Sequence, residues 1–278
     1  MSTNIGLQDL QEKLFNHIEA HVLAYHVSLG SYLGSSVLPP PCGSGTFVKF
    51  AISSHTVYGI LTAAHVVKEL KFGMKGQPAL IGLSKLLNGG TIACASPFFY
   101  IHACAPIEGF NSNSNNAYKP DIAFIALGLD DQLPKHELID SSSFYDLDAH
   151  ADLVVHDPQI VSVFFRGAAP KRPDGLLGTG VHIGGGELLR RDNPFDSPYW
   201  NIPNTSNKSI SGGSGAGFWR FDCGKELITQ ALEGVIISEE EITYSFFEAM
   251  SSEYIYEDFL PELKNHCVKN SPFLKPEL

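Results

Sequence analysis

From about residue 28 the apolar residues of this chain come in short runs, each cut off by glycine, proline or a polar turn. "GSGTFVKF" and "VYGILTAAHVV" read as two strands that pair as a hairpin around "AISSHT". "AYKPDIAFIALGL" reads as a turn running into a buried strand, and "DLVVHDPQIVSVFFRG" as two more strand-like runs. "GLLGTGVHIGGGELL" is glycine-rich hairpin material, and "EGVIIS" a short apolar strand. Many short strands with turns between them, and little helix, constrain the chain to an antiparallel barrel or sandwich architecture.

Helical spacing is confined to the two ends. Leu7, Leu10, Leu14, Ile18 and Val22 form one apolar face, which predicts an amphipathic helix packed on the main body. Docking a regulator or another subunit is the other use of such a face. His17 and His21 stand one helical turn apart on it. With no third ligand nearby, a solvated face is the expected role and a metal site the lesser one. After about residue 244, "SFFEAMSSEYIYEDFLPELKNH" regains a helical rhythm. The stretch 233–262 holds nine carboxylates (Glu233, Glu239, Glu240, Glu241, Glu248, Glu253, Glu257, Asp258, Glu262) and no Lys or Arg, so an acidic solvated face is expected there.

Composition narrows the function. With 19 basic and 30 acidic residues the net charge is −11, which repels phosphate backbones. We therefore expect no nucleic-acid partner. The five cysteines, Cys42, Cys94, Cys104, Cys223 and Cys267, form no C-x-x-C pair. Reduced thiols are the expected state, with a Cys94–Cys104 bridge across a hairpin as the alternative. No cofactor and no metal is expected. No basic region followed by an apolar run opens the sequence, and no apolar stretch approaches the roughly 18 residues that span a membrane. The expectation is a soluble cytoplasmic protein. A chain trimmed of a leader would read the same way.

"SISGGSGAGFWRF", Ser209 to Phe221, sets one serine among glycines. A serine hydroxyl is a poor nucleophile until a base, usually His, lies within hydrogen-bond reach and a carboxylate orients that base. Glycines around it leave backbone N–H groups to receive an oxyanion, and no side chain blocks the approach. Two other contexts match. His65 ends "ILTAAH" after a strand, and Asp121 begins "DIAFIAL" at the head of a buried one. Each alone reads more often as a core histidine, a turn cap or a loop serine. The conjunction in the order His65, Asp121, Ser214 is much more restrictive.

On these motifs the chain resembles the trypsin-like, or chymotrypsin-fold, serine peptidases. That family bears its base in T-A-A-H, its carboxylate in a D-I-A-L-like motif and its nucleophile in G-D-S-G-G. "GSGTF" is similar to the strand before the family's histidine, and "ALEGVIIS" to the strand lining its cleft. The matches run from about Gly43 to Ser238. The resemblance implies an all-β fold of two six-stranded antiparallel barrels of the chymotrypsin type, flanked by helices. The segments would be a helical extension at 1–27, a first barrel at 28–140 with His65 and Asp121, a second at 141–244 with Ser214, and a terminal helix at 245–278. It implies His65 as general base, Asp121 as its orienter, Ser214 as nucleophile, and the N–H groups of Gly212 and Ser214 as the oxyanion hole.

The departures also carry information. The family's aspartate before the serine is Gly213 here, and no R-I-V-G-G start is visible. Activation by pairing that aspartate with a new amino terminus is not expected. The alternatives are an always-assembled enzyme or one switched by a partner, with "GGSGAG" as the bistable element. The usual disulfide of the histidine loop is also missing, in keeping with a reducing compartment. By family register Lys208, six residues before Ser214, falls at the base of the specificity pocket, and Glu239 on its wall. Lys208 favours an acidic residue before the scissile bond and Glu239 a basic one, while a mutual pair leaves the pocket neutral. The acidic surroundings of Glu239 favour the basic preference.

The expected partners are a protein or peptide substrate and a regulatory protein or subunit, with no membrane. Limited, regulated cleavage inside the cell is the role that follows. Two rivals stand beside this reading. An α/β-hydrolase orders its triad Ser, Asp, His, but the histidine after Ser214 is His266 and Ala216 replaces the last glycine of the elbow. A degenerate peptidase fold acting as a protein-binding module is the other.

Overall fold

The computed structural model describes residues 12–13, 16–18, 20–31, 41–67, 80–86, 92–94, 99–100, 104–105, 120–129, 141–151, 163–165, 167–169, 178–180, 199–203, 212–223, 228–239 and 246–270. Among them the chain is mostly antiparallel β-sheet, in part curled into a half-barrel, with a few helices. The strands are His26–Ser31 (β1), Pro41–Ile52 (β2), His55–Thr62 (β3), Leu80–Leu86 (β4), Ile92–Cys94 (β5), Phe99–Tyr100 (β6), Cys104–Ala105 (β7) and Ala123–Leu129 (β8). They continue with Tyr145–Asp146 (β9), Val163–Phe165 (β10), Gly167–Ala169 (β11), Gly178–Gly180 (β12), Tyr199–Pro203 (β13), Gly217–Cys223 (β14), Ile228–Glu239 (β15) and Phe246–Ser251 (β16).

The first sheet has nine strands, ordered β5-β4-β1-β2-β3-β8-β7, with β6 beside β4 and β9 beside β2. The second has five, ordered β10-β14-β15-β16-β13, and β11 and β12 form a separate ribbon. Among the described residues the strands thus divide as nine, five and two, where six and six were expected.

The hairpin around "AISSHT" is β2 and β3, in register from Thr46 opposite Leu61 to Ile52 opposite His55. Ser53, in the two-residue turn, takes a φ of 52°, the twist sense that suits a tight hairpin. Val57 to Thr62 are buried without alternation, because both faces of β3 are covered. The core runs from Phe47, Phe50, Ile60 and Phe124 in the first sheet through to Trp219, Leu232 and Met250 in the second. A smaller cluster, including Phe218, Ile236 and Phe247, fills the second sheet's other side.

Helix occurs at 12–13, 16–18 and 20–25, as the apolar spacing predicts. Ile18 and Val22 are buried in the shared core, while Leu7, Leu10 and Leu14 lie outside the described residues. The two histidines on this helix part company. His17 is exposed, but His21 packs edge-on against Trp219 at 5.0 Å and Tyr25 at 4.9 Å. The expected solvated role fails for His21 because its side of the helix faces an aromatic cluster. Burial there, with His17 and His150 nearby, lowers its pKa to about 3. An unfolded chain takes up this proton near pH 6.5 and the folded chain does not. Stability from this residue is therefore complete above pH 6.5 and lost at about 1.4 kcal/mol per pH unit as pH falls toward 3. Urea unfolding between pH 6.5 and 5 should show the slope, and His21→Leu should flatten it. An unchanged slope in that variant would contradict the assignment.

Two further expectations need correction. Residues 246–251 are strand, not helix: Phe247 and Ala249 point into one cluster, Met250 lies in the other, and β16 is paired on both edges, by β15 and β13. Helix begins at Ser252, where Ser251 accepts the Tyr254 N–H, and continues as Ser252–Tyr254, a π-turn Ile255–Phe259, and Leu260–Asn270. Glu233 does not belong to an acidic surface. It sits at a bulge in β15, opposite the Phe218/Trp219 step, with only 1% of its side chain exposed. It accepts from Arg220 at 2.7 Å and from the Ser252 hydroxyl at 3.3 Å, as a buried carboxylate must. Glu257, Asp258 and Glu262 are exposed, and Glu240 and Glu241 lie outside the described residues.

Cys267 is a buried free thiol, and burial pushes its pKa up to about 11. Cys94 and Cys104 are not hairpin partners: β5 pairs with β4, and β7 with β8. Among the described residues no helix is long and apolar enough to cross a membrane.

Candidate active site

Strand β3 ends at Thr62, and the chain turns at once into a helical turn, 64–67, that carries His65. The first N–H groups of such a turn have no partner within it. Asp121 supplies one. It lies two residues before β8, which pairs with β3 from Thr62 opposite Ala123 to Val57 opposite Leu129. That register brings the head of β8 beside the end of β3. Asp121 Oδ1 accepts the His65 backbone N–H at 2.9 Å, and Oδ2 accepts from the ring Nδ1 at 2.6 Å. A carboxylate offers no proton, so Nδ1 carries the hydrogen and Nε2 of the neutral ring holds the lone pair. The histidine side chain keeps 38% of its surface exposed, so the ring is reachable from solvent.

Ser214 comes from the other sheet, in the loop just before β14. Gly212 and Gly215 have φ of 84° and 88°, values that favour glycine and account for the glycines around the serine. Space adds to the demand at Gly215, where a Cβ would run into the Ser44 carbonyl oxygen and the Thr62 hydroxyl. The loop is held on both sides. Gly215 N–H donates to the Ile236 carbonyl at 2.7 Å, and Ala216 N–H to the Gly213 carbonyl at 2.9 Å. From the first sheet, Ser44 N–H donates to the Ser214 carbonyl at 2.7 Å, and the Ser44 hydroxyl to the Gly212 carbonyl at 2.7 Å. Thr46 accepts the Gly217 N–H at 2.9 Å.

These contacts bring the Ser214 loop against the segment that bears His65. Thr62, three residues before it, borders Gly215. Val66, the residue after it, lies 2.6 Å from the point a Cβ on Gly43 would take, and the Ser214 carbonyl oxygen lies 2.9 Å from that same point. The Ser214 hydroxyl is 3.5 Å from the Ile237 carbonyl, a contact too long to hold it firmly. Among the described residues no backbone carbonyl accepts the N–H of Gly212 or Ser214.

Of the residues singled out in the sequence, His65 and Asp121 are in direct contact, and Ser214 with Gly212 lies on the loop beside them. Glu239 is the last residue of β15, opposite Phe247 in β16, and Lys208 lies outside the described residues. Among the described residues no group of three or more His, Cys, Asp or Glu is placed to hold a metal ion. The hydroxyls of Ser44, Thr46 and Thr62 escaped the sequence reading. Their signal was present: Ser44 and Thr46 stand two apart on one face of a largely apolar strand and are buried, and buried hydroxyls must find partners. No family model matches this chain, and no curated protein matches it.

Proposed function

We propose that this protein is a serine endopeptidase of the trypsin-like kind, with its site between two barrels of the chymotrypsin type. The observation that supports this most is the 2.6 Å contact of His65 Nδ1 with Asp121 Oδ2, made where the Ser214 loop is bonded to the strand beside them. In this reading Ser214 Oγ attacks a peptide carbonyl carbon as His65 Nε2 takes its proton. The carbonyl π pair moves onto oxygen, and the N–H groups of Gly212 and Ser214 receive the charge. The C–N bond then breaks, and His65 returns the proton to the leaving amine. Water, deprotonated by the same ring, releases the acyl group. Asp121 keeps Nδ1 protonated and stabilises the imidazolium.

The substrate is a protein or peptide, with a basic residue before the scissile bond, on the family register that would put Glu239 on the wall of the specificity pocket. The setting is regulated, limited proteolysis in the cytoplasm. A fluorophosphonate probe tests the assignment: it should label the wild-type chain and leave Ser214→Ala unlabelled. Equal labelling of both would remove Ser214 from its role. No labelling of either would favour the protein-binding module.

A further inference from the structure

Three consecutive peptide groups pass through the nucleophile, and each is held by a different contact. The Gly212 carbonyl accepts from the Ser44 hydroxyl, the Gly213 carbonyl from Ala216 N–H, and the Ser214 carbonyl from Ser44 N–H. Ser44 thus grips the first and the third. A trans peptide points its N–H opposite its carbonyl. Holding the outer two groups, with the middle carbonyl turned inward to Ala216, leaves the Ser214 N–H only one outward direction. Ser44 is itself fixed, since its carbonyl accepts from the Thr62 hydroxyl at 2.7 Å, and its side chain is fully buried.

We infer that Ser44 is a positioning residue, which sets the direction of the Ser214 N–H, one of the two oxyanion donors, from the opposite sheet. The inference rests on the peptidase reading above. Its physical core is the freedom of Gly212 and Gly213. Two successive glycines can turn the peptide between them over at little steric cost, which would release one of the two groups that flank the Ser214 N–H and free that N–H to turn with it. The hydroxyl of Ser44 opposes that turn, because a carbonyl turned away would leave it buried without this acceptor. The aspartate that the resemblance leads one to expect before the nucleophile is Gly213, so restraint from that side chain is lacking. Ser44 supplies restraint from outside the loop.

The test compares wild type, Ser44→Ala and Ser44→Thr. The rate of fluorophosphonate labelling should fall about 10- to 100-fold in Ser44→Ala, the range for a small misplacement of a catalytic group. Ser44→Thr, which keeps the hydroxyl, should recover most of that loss. The pH dependence of labelling should keep its midpoint, since His65 and Asp121 are untouched. Amide exchange should quicken for Gly212 to Gly217 in Ser44→Ala and stay unchanged in β2 and β3. An unchanged labelling rate overturns the inference. So does unchanged exchange of the loop, or exchange that rises equally across β2 and β3. If wild type takes no label, the peptidase reading fails instead, and loop exchange alone decides the role of Ser44.

Discussion

Replacing Ser214 by alanine is expected to lower peptide turnover about a millionfold while leaving the fold intact. The size of the loss follows from the chemistry. Without the hydroxyl no acyl-enzyme forms, and only binding and the oxyanion donors remain to speed attack by water. The small structural effect follows from the surroundings of the side chain. Among the described residues its hydroxyl makes a single long contact, 3.5 Å to the Ile237 carbonyl, whereas the loop is held through backbone groups that alanine retains. His65→Ala should lose as much, and the double variant no more, because the two side chains act in one step. Turnover measured against a denatured blank, with urea unfolding alongside, checks this. A Ser214→Ala rate within about tenfold of wild type would refute the nucleophile.

Asp121→Asn is expected to lower turnover about 10⁴-fold, a loss of the kind seen when a triad carboxylate becomes an amide. Both oxygens of Asp121 accept, one from the His65 backbone and one from its ring. An asparagine has one acceptor to offer. If its oxygen stays with the backbone N–H, its NH₂ faces Nδ1, and the ring must accept there. The proton then moves to Nε2, where the base needs its lone pair. If the amide turns the other way, the backbone N–H of the helical turn loses its acceptor. The first arrangement preserves the fold and removes the base. Fluorophosphonate labelling should slow in parallel with turnover. A variant that labels at the wild-type rate would show that Asp121 does not set the tautomer.

Much of this site was legible because its parts are local. "ILTAAH" contains both the strand that ends at Thr62 and the turn that lifts His65, and "DIAFIAL" contains the carboxylate and the strand that carries it. The hairpin of β2 and β3 was readable for the same reason, since its turn and both strands lie in one stretch. What stayed hidden depends on pairings across the chain. Phe246 to Ser251 read as helix because its apolar residues also suit a helical rhythm, and only strands on both sides decide otherwise. Glu233 read as a surface charge because its partner, Arg220, lies outside the acidic stretch and meets it only through a bulge in β15. His21 read as solvated because nothing nearby in sequence announces Trp219. Ser44 was quoted as part of a strand, yet its grip on Gly212 spans 168 residues.

The central claim is that a base, its orienting carboxylate and a hydroxyl from the opposite sheet meet in one place. A crystal structure of the chain after reaction with a fluorophosphonate tests it most directly. The account predicts phosphorus bonded to Ser214 Oγ, its oxygen within hydrogen-bond distance of the Gly212 and Ser214 N–H groups, and His65 Nε2 about 3 Å from the adduct. Phosphorus on any other side chain, or a His65 ring turned away and separated from Ser214, would contradict it.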